Sequence, residues 1–426
     1  DTAAARDSCL ETAGVINFAA LSMNPKASKE PLFTGPFLMM WAFTFTVFVS
    51  LFMLLPVVPF QVLAEGGTEA QAGLFMGLLT YSSGLSALFT GALSDHIGRR
   101  RQLIICAVAI VGCVLLYGVL TNVPRLVFVT LHGIFWSGLL LASSAHITSV
   151  IPATRRAEGL GYWGMSSLLA VTVAPTVGFA IYKYGWPTLC LSVAAMNVVM
   201  GLIAWSIHES HEGDHKWPTL LELKDSLNFS VLRISLALFL YSFAFGAVTS
   251  FAALAADARG IAPREVFLTT MAFTTFLSRP VLAPFLDRMG HVRMFRLFVS
   301  MIPVGLALLS VAHTKPLMVT AAIIFGLAYG NCHPAFSAYI TGRVDERGRG
   351  GAFGGILAAF DVGIGTGSIL SGVLVHRFGF GVAFGTATAL SALSVPYFNW
   401  ARPRFERDNS ARPVGVPAVT ALSEGF

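Results

Sequence analysis

The chain has 426 residues, of which 55% are hydrophobic and only 12% charged. A soluble protein of this length carries about twice that charged fraction, so the composition is not that of a water-soluble enzyme or a nucleic-acid-binding domain. The net charge of +6 therefore calls for an explanation other than nucleic acid, and the distribution of basic residues along the chain supplies it. The five cysteines suggest neither a disulfide nor a metal ligand set, and no Gly-Lys dipeptide marks a phosphate-binding loop. No cofactor or metal is expected.

Residues 1–22 are polar or weakly apolar and hold no stretch long enough to span a bilayer. Met23 is the expected start of the functional chain, and residues 1–34 are read as a leader or tail. From there apolar blocks of about 20 residues recur, the length that crosses a hydrocarbon core about 30 Å thick. Twelve spans are expected at 35–62, 72–94, 101–121, 125–150, 157–183, 186–208, 231–257, 264–287, 291–312, 316–340, 349–377 and 380–401. The expected class is an all-α membrane protein with two six-helix halves, 35–208 and 231–401, a linker at 209–230 and a tail at 402–426.

With both termini on the cytoplasmic side, lysine and arginine sort cleanly. The outer connections hold only Arg125, Lys183, Arg259, Arg264, Lys315 and Arg377, while Arg233 and Arg279 fall inside spans. All the others lie in the N-terminus, the even-numbered connections and the tail, as the positive-inside rule requires. In the linker, Thr219 and Glu222 have capping-box spacing, and Leu220, Leu223 and Leu227 share a helical face beside Trp217. An amphipathic helix on the inner surface is expected there. The tract His208, His211 and His215 is read as a solvated part of that linker.

The connection after the second span reads Gly91-Ala-Leu-Ser-Asp95-His-Ile-Gly98-Arg99-Arg100-Arg101. A carboxylate at the negative end of a helix is disfavoured unless arginines or a neighbouring helix start attract it. Gly91 lets a neighbour approach, Gly98 permits the turn, and the arginines hold it at the inner surface. The same features return 192 residues later around Asp287, Gly290 and Arg293. These residues are expected to form two conformational latches. An offset of 193 also places His132-Gly133 on Phe325-Gly326, Arg156 on Arg349 and Gly161 on Gly354. The chain is therefore a duplicated six-span unit, with a site expected near the midplane between the copies.

The G-x-x-x-D-x-x-G-R-R pattern resembles the signature loop of the major facilitator superfamily. Ala170 and Ala174-Pro175-Thr-Val-Gly178 resemble the fifth-span motif of its antiporters, with a second copy around Gly363 and Gly367. Pro175, Gly178, Gly363 and Gly367 are read as hinge or packing positions. The resemblance is strongest to bacterial 12-span drug:proton antiporters, and implies alternating access, proton-coupled export of amphipathic molecules, and residence in a bacterial inner membrane as a monomer. One departure stands out: Val129 replaces the fourth-span arginine of that group, and the first span has no acid.

Within the spans, Asp361 is the acid expected to carry a proton, because an ionised carboxylate near mid-bilayer is costly unless paired, protonated or wetted. His333 is a candidate relay partner. Arg279 is read as a counter-charge for Asp361, a group for an anionic substrate or, equally, a side chain that snorkels toward the inner surface. The remaining cavity wall is assigned to Phe43, Thr46, Ser50, His132, Tyr162, Trp163, Tyr241, Phe245, Thr249 and Asn331. Such a wall suits an amphipathic organic molecule. The alternatives are an uptake symporter or facilitator of a small metabolite, an anion among the candidates, and, from another class, a transport-inactive receptor. No nucleophile–base pair supports an enzyme.

Overall fold

A computed structural model describes residues 30–209, 229–344 and 349–410. The leader up to residue 29, the linker segment 210–228 with His211 and His215, and the tail after residue 410 lie outside the described residues, whereas His208 is described and exposed.

Twelve rods form among the described residues, and local chemistry sets their ends. The first begins at Gly35–Leu54, where the Thr34 hydroxyl accepts from the Phe37 amide, and resumes as Val58–Ala64 after a break at Leu55-Pro56-Val57. Pro56 has no amide to donate and disfavours helix in the residue before it. The second, Glu69–Ile97, starts on a capping box in which Thr68 and Gln71 satisfy each other's backbone. The first half continues through Arg99–Val119, Asn122–Val150, Arg156–Tyr182 and Trp186–Ser206. The second half runs Phe229–Ala258, Val266–Met289, His291–Ser310, Lys315–Thr341, Arg349–Ala392 and Ser394–Ser410. Arg349–Ala392 turns back at Gly379, so it holds the eleventh span and the start of the twelfth.

Glycines with positive φ restate the duplication. Among the described residues they are Gly66 and Gly260, Gly98 and Gly290, and Gly185 and Gly379. These are equivalent positions in the two copies, ending spans one and seven, two and eight, and five and eleven. A left-handed backbone costs a side-chain-bearing residue about 1 kcal/mol or more, so glycine holds each reversal.

Nine helices among the described residues are long and apolar enough to cross a membrane, and one of them, Gly351–Asn409, contains the Gly379 turn. The two other rods, Glu69–Ile97 and Val266–Met289, are spans two and eight. They are equivalent in the repeat, and both pack against the opposite half: span two on span eleven, span eight on span five. Their lower apolarity matches a position facing protein and cavity rather than lipid.

Candidate functional site

The halves meet tightly at one end and part at the other. Small residues make the tight contact possible. A Cβ on Gly73 would come within 2.5 Å of the Ser368 carbonyl oxygen, and one on Gly84 within 3.1 Å of Asp361 Cβ. Every hydrogen bond between the halves among the described residues lies along this seam. His376 Nδ1 meets Glu69 Oε2 at 2.9 Å, Ser368 Oγ donates to the Gly73 carbonyl at 3.0 Å, and the Tyr81 and Thr366 hydroxyls are 2.8 Å apart. Thr176 and Thr269 add a fourth contact at 3.2 Å, and the Arg264 guanidinium sits 4.9 Å over the Phe60 ring. The last contact is the one between Ser83 Oγ and Asp361 Oδ2, 2.7 Å. Beyond it, toward the Arg99 and His291 connections, no hydrogen bond joins the halves among the described residues, and a cavity opens.

That cavity, about 330 Å³, is walled by both halves. Spans one, four and five contribute Phe48, Phe52, Trp136, Ser167 and Leu168; the second half contributes Phe245, Arg279, Tyr329, His333, Phe360 and Asp361. Phe245 and Tyr329 stack with centroids 4.2 Å apart, and His333 stands edge-on to Phe360 at 5.0 Å. Asp361 is 7% exposed and tied to Ser83. No carboxylate oxygen among the described residues lies within 4.0 Å of Arg279, so it is not the ion-pair partner of Asp361 in this conformation. His333 and Asp361 share the cavity, and no direct hydrogen bond joins them.

Several expected cavity residues lie elsewhere. In span one the lining face is Phe48, Leu51, Phe52 and Leu55, whereas Phe43 is fully buried, Ser50 hydrogen-bonds Asn197 at 3.2 Å, and Thr46 donates to its own helix. His132 is held by the Tyr117 hydroxyl at 3.0 Å inside the first half, away from the cavity. Trp163 Nε1 donates to Thr44 at 2.8 Å, and the Tyr162 carbonyl accepts from Trp41 at 3.2 Å, so both serve the contact of spans one and five. Asn331 Nδ2 donates to Ser278 at 3.2 Å. Tyr241 is buried behind the wall, 5.5 Å from Tyr329, and Thr249 lines a separate small void beside Pro175. For Ser50, His132, Trp163 and Asn331 a neighbouring helix takes up the polar group, which spacing along one helix does not reveal.

Ser83 and Tyr329 escaped the sequence reading. Tyr329 had a signal, since Phe325, Tyr329 and His333 recur every fourth residue and share one face. Ser83 had none beyond being a small polar residue next to a glycine.

The latch acids Asp95 and Asp287 have side chains outside the described residues. Arg99 donates to the Ala145 carbonyl at 3.0 Å, and Arg100 to the Trp205 carbonyl at 2.6 Å, both within their own half. Arg293 is exposed. A Cβ on Gly91 would meet Leu141 at 3.6 Å, ordinary contact that does not require a glycine. Gly178 packs on the Met53 backbone, and Gly363 and Gly367 on Phe239 and Phe243 of span seven, all within one half.

Residues 40–233 and 234–424 each match the Major Facilitator Superfamily, once per six-span copy. Among curated proteins, the staphylopine export protein of Staphylococcus aureus is 21% identical over 364 residues, covering 81% of this chain and 90% of that one. The multi-drug resistance efflux pump PmrA of Streptococcus pneumoniae is 23% identical over 375 residues, covering 84% and 94%. Among solved structures, the human organic anion transporter MFSD10 superposes with a TM-score of 0.67 at 16% identity, covering 85% of this chain and 98% of that one. That likeness is one of fold.

Proposed function

Because this chain belongs to the Major Facilitator Superfamily, and so is a secondary transporter that carries a small molecule by alternating access rather than an enzyme, we propose that the cavity at Asp361 is its cargo site and that Asp361 couples transport to protons. The observation that supports this is a hydrogen bond between the halves: Ser83 of one donates to the Asp361 carboxylate of the other where the seam gives way to the cavity. An ionised Asp361 accepts that bond and holds the halves together. A protonated Asp361 is a poorer acceptor, so taking up a proton loosens the tie and frees the halves to rock.

The reading the site favours is a symporter or facilitator of a small organic metabolite. The cavity lies at the small end of the range for ligand sites, Val129 replaces the arginine of the antiporter pattern, and the first span lacks an acid. Export of amphipathic compounds is the second reading, supported by two curated relatives named as exporters over most of their length. The distribution of lysine and arginine supports cytoplasmic termini, and with that orientation the seam faces outward and the cavity inward. When the inner end closes, Asp95 and Asp287 engage the arginines of their loops.

The test is proton flux in inverted vesicles. Asp361→Asn should abolish substrate-driven proton movement while the purified protein still unfolds at its usual temperature. Unchanged flux would remove Asp361 from the coupling role.

A further inference from the structure

Arg279 lines the cavity, its Nε is buried with no hydrogen-bond partner, and no carboxylate among the described residues pairs with it. Asp361, the acid in the same wall, is already held by Ser83. A guanidinium keeps its proton and offers five donors in one plane, so it does not escape the cost of burial by becoming neutral. While the cavity is open, water meets that need. Alternating access, the reading on which this inference rests, passes through a state closed at both ends, where water is scarce and an unpaired cation is strongly disfavoured. Its counter-charge then has to arrive with the cargo.

The rest of the wall describes the body of that cargo. Phe245 and Tyr329 lie nearly parallel, 9° apart, and Phe48 and Trp136 meet edge-on at 5.3 Å within the first half's share of the wall. Stacked faces and apolar edges suit a flat, apolar skeleton. We propose that the cargo is a small amphipathic organic anion whose carboxylate or phosphate pairs with Arg279 and whose planar body lies along Phe245 and Tyr329. The same cation repels organic cations, which places this site opposite in sign to one that accepts cationic drugs.

Binding of four matched probes to the full chain in detergent, by calorimetry, tests this: 2-naphthoate, 2-naphthyl phosphate, 2-naphthamide and 2-naphthylmethylammonium. At least one anion should bind about tenfold or more tightly than the amide, with the ammonium weakest; comparing the two anions separates carboxylate from phosphate. Arg279→Gln should bring the preferred anion to within about twofold of the amide while the unfolding temperature without ligand shows an intact fold, whereas Arg279→Lys keeps part of the preference. The proposal is overturned if neither anion binds, if the amide or the ammonium binds as well as the anions, or if Arg279→Gln leaves the preference intact. Vesicle flux is read separately. An anion that binds through Arg279 without being moved keeps this site and removes the transport reading.

Discussion

Two histidines show how much a side chain's surroundings decide. His132 and His333 both lie in helices of similar composition, yet His132 is closed off by Tyr117 while His333 borders open space. Asp361 is set in the same way by one donor, Ser83, which reaches it because Gly84 has no side chain to hold the helices apart. A hydrogen bond to a charged group contributes about 1.5–3 kcal/mol, against about 1 kcal/mol for a neutral one. Ser83→Ala removes the tie in both protonation states of Asp361, so it should uncouple rocking from protonation and cut substrate-driven proton flux about tenfold or more, while cavity water replaces the lost donor and keeps the change in thermal unfolding small. His132→Phe should do the opposite, lowering the unfolding temperature and leaving the substrate KM unchanged. Parallel flux and unfolding measurements separate the two, and the reverse pattern would mean the cavity has been assigned to the wrong face of the first half.

Among helices, glycines divide by which contact they allow. Gly367 sits where a Cβ would run into the Phe243 carbonyl, inside the second half, and Gly73 where it would meet the Ser368 carbonyl across the seam. Backbone on either side does not yield as a flexible side chain would. Gly367→Ala should thus destabilise the fold by about 1–3 kcal/mol, seen as a lower unfolding temperature. Gly73→Ala should keep the folded state and weaken the seam. The readout is faster labelling of a cysteine introduced by His376→Cys, and equal labelling with and without Gly73→Ala would show that the seam does not depend on this glycine.

For the molecule as a whole, one end is sealed by His376 with Glu69 and by Arg264 over Phe60, while the other lacks such contacts among the described residues. Alternating access requires that this seal break once per cycle. Cross-linking Glu69→Cys to His376→Cys should stop net transport, preserve ligand binding from the open end, and be reversed by reduction. Full-rate transport by the cross-linked protein would mean the seam is not a gate.

Span number, the duplication and the charge sorting were legible without coordinates, because each follows from local properties that add along the chain: apolar length, loop charge, and glycine at a turn such as Gly98 and its copy Gly290. Asp361 stood out for a related reason, since a mid-bilayer carboxylate is costly wherever it points. The side of each helix that meets the cavity was not legible. Lipid, helix contacts and an apolar cavity all accept the same side chains, so periodicity does not separate Phe43 and Ser50 from Phe48 and Phe52. Only the packing of two halves brought Ser83 to Asp361 and left Arg279 with no carboxylate partner among the described residues, because distances between residues nearly 300 positions apart are set by how helices cross and not by their order in the chain.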